Sequence, residues 1–569
     1  MRKMIKKSAS LLLAGLCVAS VAACTPTVGS GTETVISVIN FGGGVGEEWL
    51  KKAAIRFQDL KANESYESGK TGVFIDYISQ QSINLSNMDS DGYHIYFNQA
   101  TTSARSLAQQ GFFMDISDIV TGSLEAYGET GTIEDKIAEN YRIMCRGTDN
   151  KYYAIPHYEF YPGVTYDVEL FDNYDLYFAA EGEENVSTEF GSAAFITEAN
   201  PTKSLGPDGE ANTYDDGLPS SLKELLILCS YMSELGITPF ALSGKVPNYI
   251  NYLVGGLWAS LAGYEEMQCN YSFDGTVDVV TGISETEALF PGTDTDYVKK
   301  PNVESKIMSE KEGYLAYNSA ARYYAIAFVD IAVNKGWFTL TSTQGSSHVE
   351  EQKYFIFNGK KIGGKPVEKI GMLIEGSYWY NESDNVGNFT NYFKQTKTDE
   401  REISFMSLPI SLDVSVKSKE QGRKPTLVET ASAFTYINAN IKGNEGLTRA
   451  CKEFVQFLYT DKELSLFTQE TGVAKGVEYE TEDVESLNYY KRTLAELRED
   501  ANILYMGYDN QTFLDGFTTF SLNTGGQIFK YGSYFNCIAP IRNGTHAYTI
   551  FEHSATAMKN AWGTLYKGD

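Results

Sequence analysis

Histidine is scarce, with five residues in a chain of 569. No His-Glu-x-x-His pair, no metal triad and no Gly-x-Ser-x-Gly elbow occurs, so the recognisable signatures of zinc hydrolases and serine esterases are missing. Cysteine is also sparse. Besides Cys17 and Cys24, only Cys145, Cys229, Cys269, Cys451 and Cys537 remain, an odd number without short spacing, which excludes a disulfide framework and a zinc knuckle. Cys229 and Cys451 fall in apolar helical patterns and read as small core residues; a bridge through Cys145 or Cys269 stays open. Basic charge is in deficit, 47 Lys and Arg against 74 Asp and Glu, for a net charge of −27. Phosphates would be repelled, so neither nucleic acid nor an anionic membrane surface is expected as partner, and a neutral or cationic one is. No apolar run after the first 23 residues reaches bilayer-spanning length, and no internal repeat is found.

The N-terminus holds an export segment. Arg2, Lys3, Lys6 and Lys7 form a basic head before the apolar run Leu11–Ala19, and Val21-Ala22-Ala23-Cys24 supplies a small-residue cleavage site. This ending resembles the lipobox of bacterial lipoproteins, which implies a signal peptide over 1–23 and a diacylglycerol on the sulfur of Cys24. The mature protein would then sit on the extracellular face of the bacterial cell membrane, lipid-anchored. The plainer reading is an ordinary signal peptide followed by a chance cysteine. Residues 24–33, rich in Thr, Gly, Ser and Pro, read as a flexible tether.

The mature chain is too long for one core, and two or three lobes are expected. Thr34–Asn40 is a β-branched run of strand length, Phe41–Gly46 a glycine loop, and Glu47–Ala62 a helical pattern. The loop is not a phosphate-binding P-loop, because no Lys-Ser or Lys-Thr follows it. Val73–Ser79 and Tyr93–Asn98 read as further strands and Ser103–Gln110 as a helix, so βαβ units predict a parallel sheet with ligands beyond its carboxyl edge. Lys151–Tyr166, with Pro156 and Pro162, reads as an extended crossover between lobes. Ser221 and Glu224 form a capping box that starts a helix running through Leu235. Ala316–Lys335 and Thr448–Thr460 read as helices, Lys369–Glu375 and Ile403–Ile410 as strands, and 411–424 as a polar connector. Aromatic residues make up 13% of the chain, with 39 Tyr; rings of this kind pair a flat apolar face with a polar edge, which suits sugars.

Five segments in order then resemble the extracellular solute-binding lipoproteins of carbohydrate ABC transporters, relatives of maltose-binding protein. They are Gly46-Glu47-Glu48-Trp49-Leu50, Tyr152–Pro156, Leu218-Pro219-Ser220-Ser221, Gly371–Trp379, and Lys452–Leu458 with Thr471-Gly472-Val473. Departures exist: Ala474-Lys475 replaces the family's usual proline, Leu222 stands where an aromatic is common, and 180–218 and 280–312 are extra. The resemblance implies an α/β, two-lobed periplasmic-binding-protein-like fold with a hinge and an interlobe cleft. A first lobe would use 34–157 plus 411–475 and a second 158–410 plus 476–569.

Strand ends and the crossover supply the candidate ligand residues: Phe41 and Glu47 beside the glycine loop, Asn98 at the third strand, and His157, Tyr158 and Tyr161 in the crossover. Trp258 and Trp379 are candidate sugar platforms, with Glu375 and Tyr378 beside the second. Each has a structural alternative: Glu47 as a helix-dipole acid, Asn98 as a turn, the rings as core. The loop Gly206–Gly217 offers hard oxygens from Asp208, Asn212, Asp215 and Asp216 that could hold Ca²⁺, although the EF-hand spacing is absent. The calcium reading competes with a solvated turn. Together these observations predict a monomeric carbohydrate-binding protein, for an oligosaccharide by its aromatic content, that serves permease subunits, catalyses nothing and requires no cofactor. Its rivals are a surface glycoside hydrolase or lyase, which would need two carboxylates across a scissile bond, and a peptide- or amino-acid-binding relative whose acidic cleft pairs a ligand amine.

Overall fold

A computed structural model describes residues 31–567 apart from 100–103, 399, 414–423, 432 and 517–536. The segment 1–23 read as a signal peptide and Cys24 lie outside the described residues, as does most of the 411–424 connector. Two separate sheets organise the chain. The first has five strands in the order Val73–Gln80, Thr34–Phe41, Ile95–Gln99, Ala433–Ile437, Ile155–Pro156. Its first three strands are parallel, as the βαβ pattern predicts, and Ala433–Ile437 enters antiparallel from far along the sequence. The β-branched Ile36 and Val38 are fully buried, as expected for a sheet covered on both faces. The helix Glu48–Leu60 covers one face, burying Trp49, Leu50, Ala53, Ala54 and Phe57 along one stripe. Its start is pinned at Gly46, whose carbonyl accepts from Asn40 Nδ2 (3.0 Å) and Trp49 Nε1 (3.1 Å).

The second sheet has the order Ile403–Phe405, Pro162–Asp167, Ile370–Gly376, Thr238–Ala241. Ile370–Gly376 is buried along its whole length. The helices Leu222–Glu234, Ile250–Ser272 and Ala320–Asn334 pack around this half. The first of them begins with the predicted reciprocal cap: Glu224 N donates to Ser221 Oγ (3.1 Å), and Ser221 N donates to Glu224 Oε2 (3.1 Å). The extra segment read over 280–312 falls in a long antiparallel hairpin, Gly275–Ala288 with Lys299–Met308. The helix read over Ala316–Lys335 is shorter, because the backbone breaks at Ser319 after a 3₁₀ stretch ending at Asn318.

The strand end at Pro156 and the strand start at Pro162 lie in different sheets, so residues 157–161 cross between them. This crossover is bonded on both sides. His157 N donates to Ala433 O (2.8 Å), Glu159 N to Ala474 O (2.9 Å), and Thr430 N to Phe160 O (3.0 Å). A separate parallel pair, Thr426–Glu429 with Asn502–Tyr505, runs beside it. Glu159 is fully buried at the centre. Its carboxylate accepts from Arg498 Nε (2.8 Å), Arg498 Nη2 (3.0 Å), Tyr505 Oη (2.5 Å) and Tyr161 Oη. The five described cysteines are buried and unpaired, which closes the question of a bridge through Cys145 or Cys269. None of the described helices is long and apolar enough to cross a membrane.

Candidate functional site

Three strands end at the junction of the two halves: Thr34–Phe41 and Ile95–Gln99 from the first sheet, and Ile370–Gly376 from the second. Carboxyl ends are where an open α/β sheet presents a cleft. Tyr158, from the crossover, donates through Oη to Gln99 Oε1 (3.3 Å) and lies against Gly44 of the glycine loop. Gly44 has φ +61°, a left-handed conformation that glycine adopts without strain, and a Cβ there would press on the Tyr158 hydroxyl and touch Tyr378. From the second half, Tyr378 meets Tyr158 edge-on at 6.2 Å and Phe160 at 4.5 Å. Phe160 continues to Tyr252 at 5.3 Å, Tyr252 to Tyr249 at 4.9 Å, and Tyr249 stacks on His348 at 5.8 Å. The rings form one continuous cluster, in which Tyr158 and Phe160 are buried and Tyr249, Tyr252 and Tyr378 keep partial exposure.

Two carboxylates stand against this cluster. Glu375, at the end of its strand, is 2% exposed. It shares a donor with Glu382 from the helix Trp379–Asn385: Gln352 Nε2 donates to Glu375 Oε1 (3.0 Å) and to Glu382 Oε2 (3.3 Å). Gln352 is fully buried, and its Oε1 has no hydrogen-bond partner. Burial, then repulsion from Glu382, holds the Glu375 carboxyl well above its ordinary range. Burial likewise pushes Glu382 up to about 7, against bonds from Gly44 and Gln352 that lower it. The tyrosines respond as well: Tyr249, Tyr252 and Tyr378 are raised, first by burial and then by nearby acids and phenols.

Glu382 also joins the halves, since Gly44 N donates to its Oε1 (3.3 Å). Asn381 Nδ2 donates to Thr471 O in a second bond across the same junction.

No family model matches the chain, and no curated protein matches it either. Among solved structures, the chain superposes on one described as a chitin oligosaccharide binding protein at 14% identity and TM-score 0.51. That match covers 93% of this chain and all of the other. A second, described as SBP RafE in complex with raffinose, matches at 12% identity and TM-score 0.50, covering 93% of this chain and 99% of that one. This is the two-lobed solute-binding-protein fold. At such identities the likeness is one of fold.

Within this solute-binding-protein fold, the sequence-predicted residues divide into three groups. Tyr158, Glu375 and Tyr378 come together at the junction with Gly44. Phe41 is half-buried at its strand end, with its ring folded back over Gly43. Glu47 is half-buried and caps the helix with its carbonyl, which accepts from Leu50 N (3.0 Å) and Lys51 N (3.1 Å). Asn98 lies inside its strand, 3% exposed and paired with Phe434, rather than ending it.

Four predicted residues are withdrawn from the ligand surface. Trp258 is fully buried, packed edge-on to Tyr317 at 6.4 Å with Arg322 at 5.9 Å. Trp379 is also fully buried: the helix start turns its indole back over the sheet, where Nε1 donates to Thr165 Oγ1 (2.8 Å) and Tyr490 lies 5.8 Å away. A stacking platform needs an open face, and neither indole has one. His157 is enclosed by Trp49 (5.1 Å), Phe97 (4.9 Å) and Phe467 (5.9 Å), with Nδ1 3.1 Å from Lys475 Nζ. Burial first, and that amine second, hold its imidazole well below the usual range. Lys475, the departure from the family proline, is itself buried with Nζ over Phe467 (4.3 Å) and Trp49 (4.8 Å), and burial lowers its amine strongly. Tyr161 spends its hydroxyl on Glu159.

In the predicted calcium loop, Asn212 does take the left-handed backbone, φ 63°. Its amide donates to Asp216 Oδ2 (2.9 Å), Asp208 N to Asp215 Oδ2 (3.1 Å), and Glu210 N to Asp208 Oδ1 (2.7 Å). Asp208 Oδ2 and Asp216 Oδ1 are buried without a partner. Burial, then Asp208, raises Asp215 well above its ordinary value. Among the described residues, no group of three or more His, Cys, Asp or Glu side chains is arranged to hold a metal ion.

Sequence reading missed Phe160, Tyr249, Tyr252, Gln352 and Glu382. Tyr249 and Tyr252 could have been found from position, since they open the helix that follows the strand Thr238–Ala241. Glu382 lies in the first turn after the strand Ile370–Gly376. Gln352 carries no sequence signal.

Proposed function

We propose that this chain is a solute-binding protein that captures a carbohydrate, an oligosaccharide rather than a single sugar, between its lobes and passes it unchanged to the permease subunits of an ABC transporter. The observation that carries this reading is the run of tyrosines at the junction, backed by two carboxylates and a buried amide. Flat rings accept the C–H faces of sugars while acceptor oxygens take hydroxyl protons. Two structures of the same fold are named for chitin oligosaccharide and raffinose, which is consistent with such a ligand. Closure would be a population shift, favoured by bonds made only when the lobes meet, such as Gly44 to Glu382 and Asn381 to Thr471. The moving bodies in this proposal are 34–157 plus 411–475 against 158–410 plus 476–569, in a monomer.

Lipid attachment at Cys24 belongs to the same proposal. A tether keeps captured ligand near the permease and raises its effective concentration. We also propose that Asp208, Asn212, Asp215 and Asp216 hold Ca²⁺. The support is chemical: the Asp215 carboxyl, raised by burial and then by Asp208, and two buried oxygens without partners would both gain from a hard cation.

The experiment is a thermal-shift screen of the mature protein against oligosaccharides, polyols and peptides, with product analysis of every hit. Binding stabilises by mass action. A carbohydrate that raises the melting temperature and is recovered intact supports capture. Cleavage of the hit would replace it with the hydrolase reading, and hits confined to peptides would replace it with a peptide-binding one.

A further inference from the structure

The acid pair at the junction is short of donors. Glu375 and Glu382 together present four carboxylate oxygens, and they share one amide hydrogen-bond donor in Gln352 Nε2. Gly376 N adds a bond to Glu375 Oε2 (3.3 Å), and Gly44 N adds one to Glu382 Oε1 (3.3 Å). Gln352 Oε1 is a further acceptor on this fully buried side chain, whose Nε2 bridges the two acids, and it has no hydrogen-bond partner. A buried acceptor left unpaired costs free energy, and ionising two carboxyls side by side costs more. Among the described residues, neither acid forms an ion pair with Lys, Arg or His. Lys245 acts on His348 and Glu350 instead.

Beside the acids stand Tyr249, Tyr252 and Tyr378, partly exposed rings linked through the buried Phe160 and electron-rich on their faces. Rings beside paired carboxylates attract a cation, by ring quadrupole and by charge together. A neutral sugar hydroxyl could satisfy one acceptor, but it would leave the charges uncompensated. An ammonium group brings three N–H donors and one positive charge, which fits two carboxylates and one amide oxygen.

Building on the carbohydrate reading above, we propose that the ligand bears a free primary amine: an amino sugar unit whose ammonium sits between Glu375, Glu382 and Gln352 Oε1, with its ring against the tyrosine cluster. A free amino acid or peptide terminus fits less well. Its carboxylate would be repelled by Glu375 and Glu382.

The test is isothermal titration of the full mature protein with three oligomers of equal length and linkage: the glucosamine form with free amines, its N-acetylated form, and the neutral glucose form. At pH 7.5 the amine form should bind at least tenfold tighter than either of the others. In Glu382→Gln and Glu375→Gln that preference should shrink to about threefold or less. A measurement on the wild type needs no variant to fold: the preference should fall at least tenfold between pH 7.5 and pH 5, as the acids take up protons. The N-acetylated or neutral oligomer binding as tightly as the amine form overturns this inference and leaves carbohydrate capture standing. If no oligomer binds and peptides do, both readings fall. If no probe binds, the amino sugar assignment is overturned.

Discussion

Replacing Glu159 by Ala should be among the most damaging single changes in the chain. The carboxylate is fully buried and takes two hydrogen bonds from Arg498, at 2.8 and 3.0 Å, with a third from Tyr505 and a fourth from Tyr161. Its own amide holds the crossover to Ala474. Removing the acid leaves the Arg498 guanidinium, four-fifths buried, with Val477 O (3.1 Å) as its remaining acceptor, and leaves two phenols without theirs. Breaking a buried pair from one side costs about 3–5 kcal/mol, and the orphaned hydroxyls bring the expectation to roughly 4–6 kcal/mol. Against a total stability of about 5–15 kcal/mol, this would leave the variant marginal. The assay is equilibrium urea unfolding followed by tryptophan fluorescence and far-UV circular dichroism. The double variant Glu159→Met with Arg498→Met completes a cycle. Because an apolar pair replaces both desolvated charges, the double variant should be more stable than Glu159→Ala alone. A loss below about 1 kcal/mol in the single variant, or a double variant no more stable than it, would refute the claim that this ion pair organises the crossover.

Four further outcomes are expected. Trp379→Ala should cost about 3–5 kcal/mol through the cavity and the stranded Thr165 hydroxyl; ligand affinity lost at unchanged stability would instead restore its reading as a sugar platform. Gly376→Ala would drive a Cβ into the Phe160 ring, so about 1–3 kcal/mol of stability and the ligand-induced thermal shift should be lost together. For Glu382, whose pKa rises from 4.5 to about 7 on folding, the contribution to stability is full at acid pH and drains away as pH climbs through 7. Ligand-free wild type should therefore lose roughly 2–3 kcal/mol relative to Glu382→Gln between pH 4.5 and 7.5, and unfolding curves showing the opposite trend would sink the assignment. Calcium added to the mature protein should release heat in a calorimeter, and chelation should lower its melting temperature; silence in both would remove the metal from the Gly206–Gly217 loop.

Much of the architecture was legible in residue order. Local rules carried the first strand, the capping box at Ser221 and the crossover, because β-branched runs, caps and prolines act within a few residues of themselves. Charge balance and the scarcity of His narrowed the partners without any geometry. Of the candidate residues named from sequence, Tyr158, Glu375 and Tyr378 are the ones the fold gathers at the junction, beside strands that end there.

Tertiary structure decided the rest. Whether an indole faces ligand or core depends on which neighbours close over it, and at Trp258 and Trp379 those neighbours come from remote segments. Gln352, 23 residues before Glu375, becomes its hydrogen-bond partner only because a helix and a strand pack together. The sequence by itself determined an acidic, aromatic-rich chain with the periodicity of two α/β halves. The pairing of Glu375 with Glu382, and the unpartnered oxygen between them, exist only after folding, because burial and proximity are properties of the assembled lobes and not of any one segment.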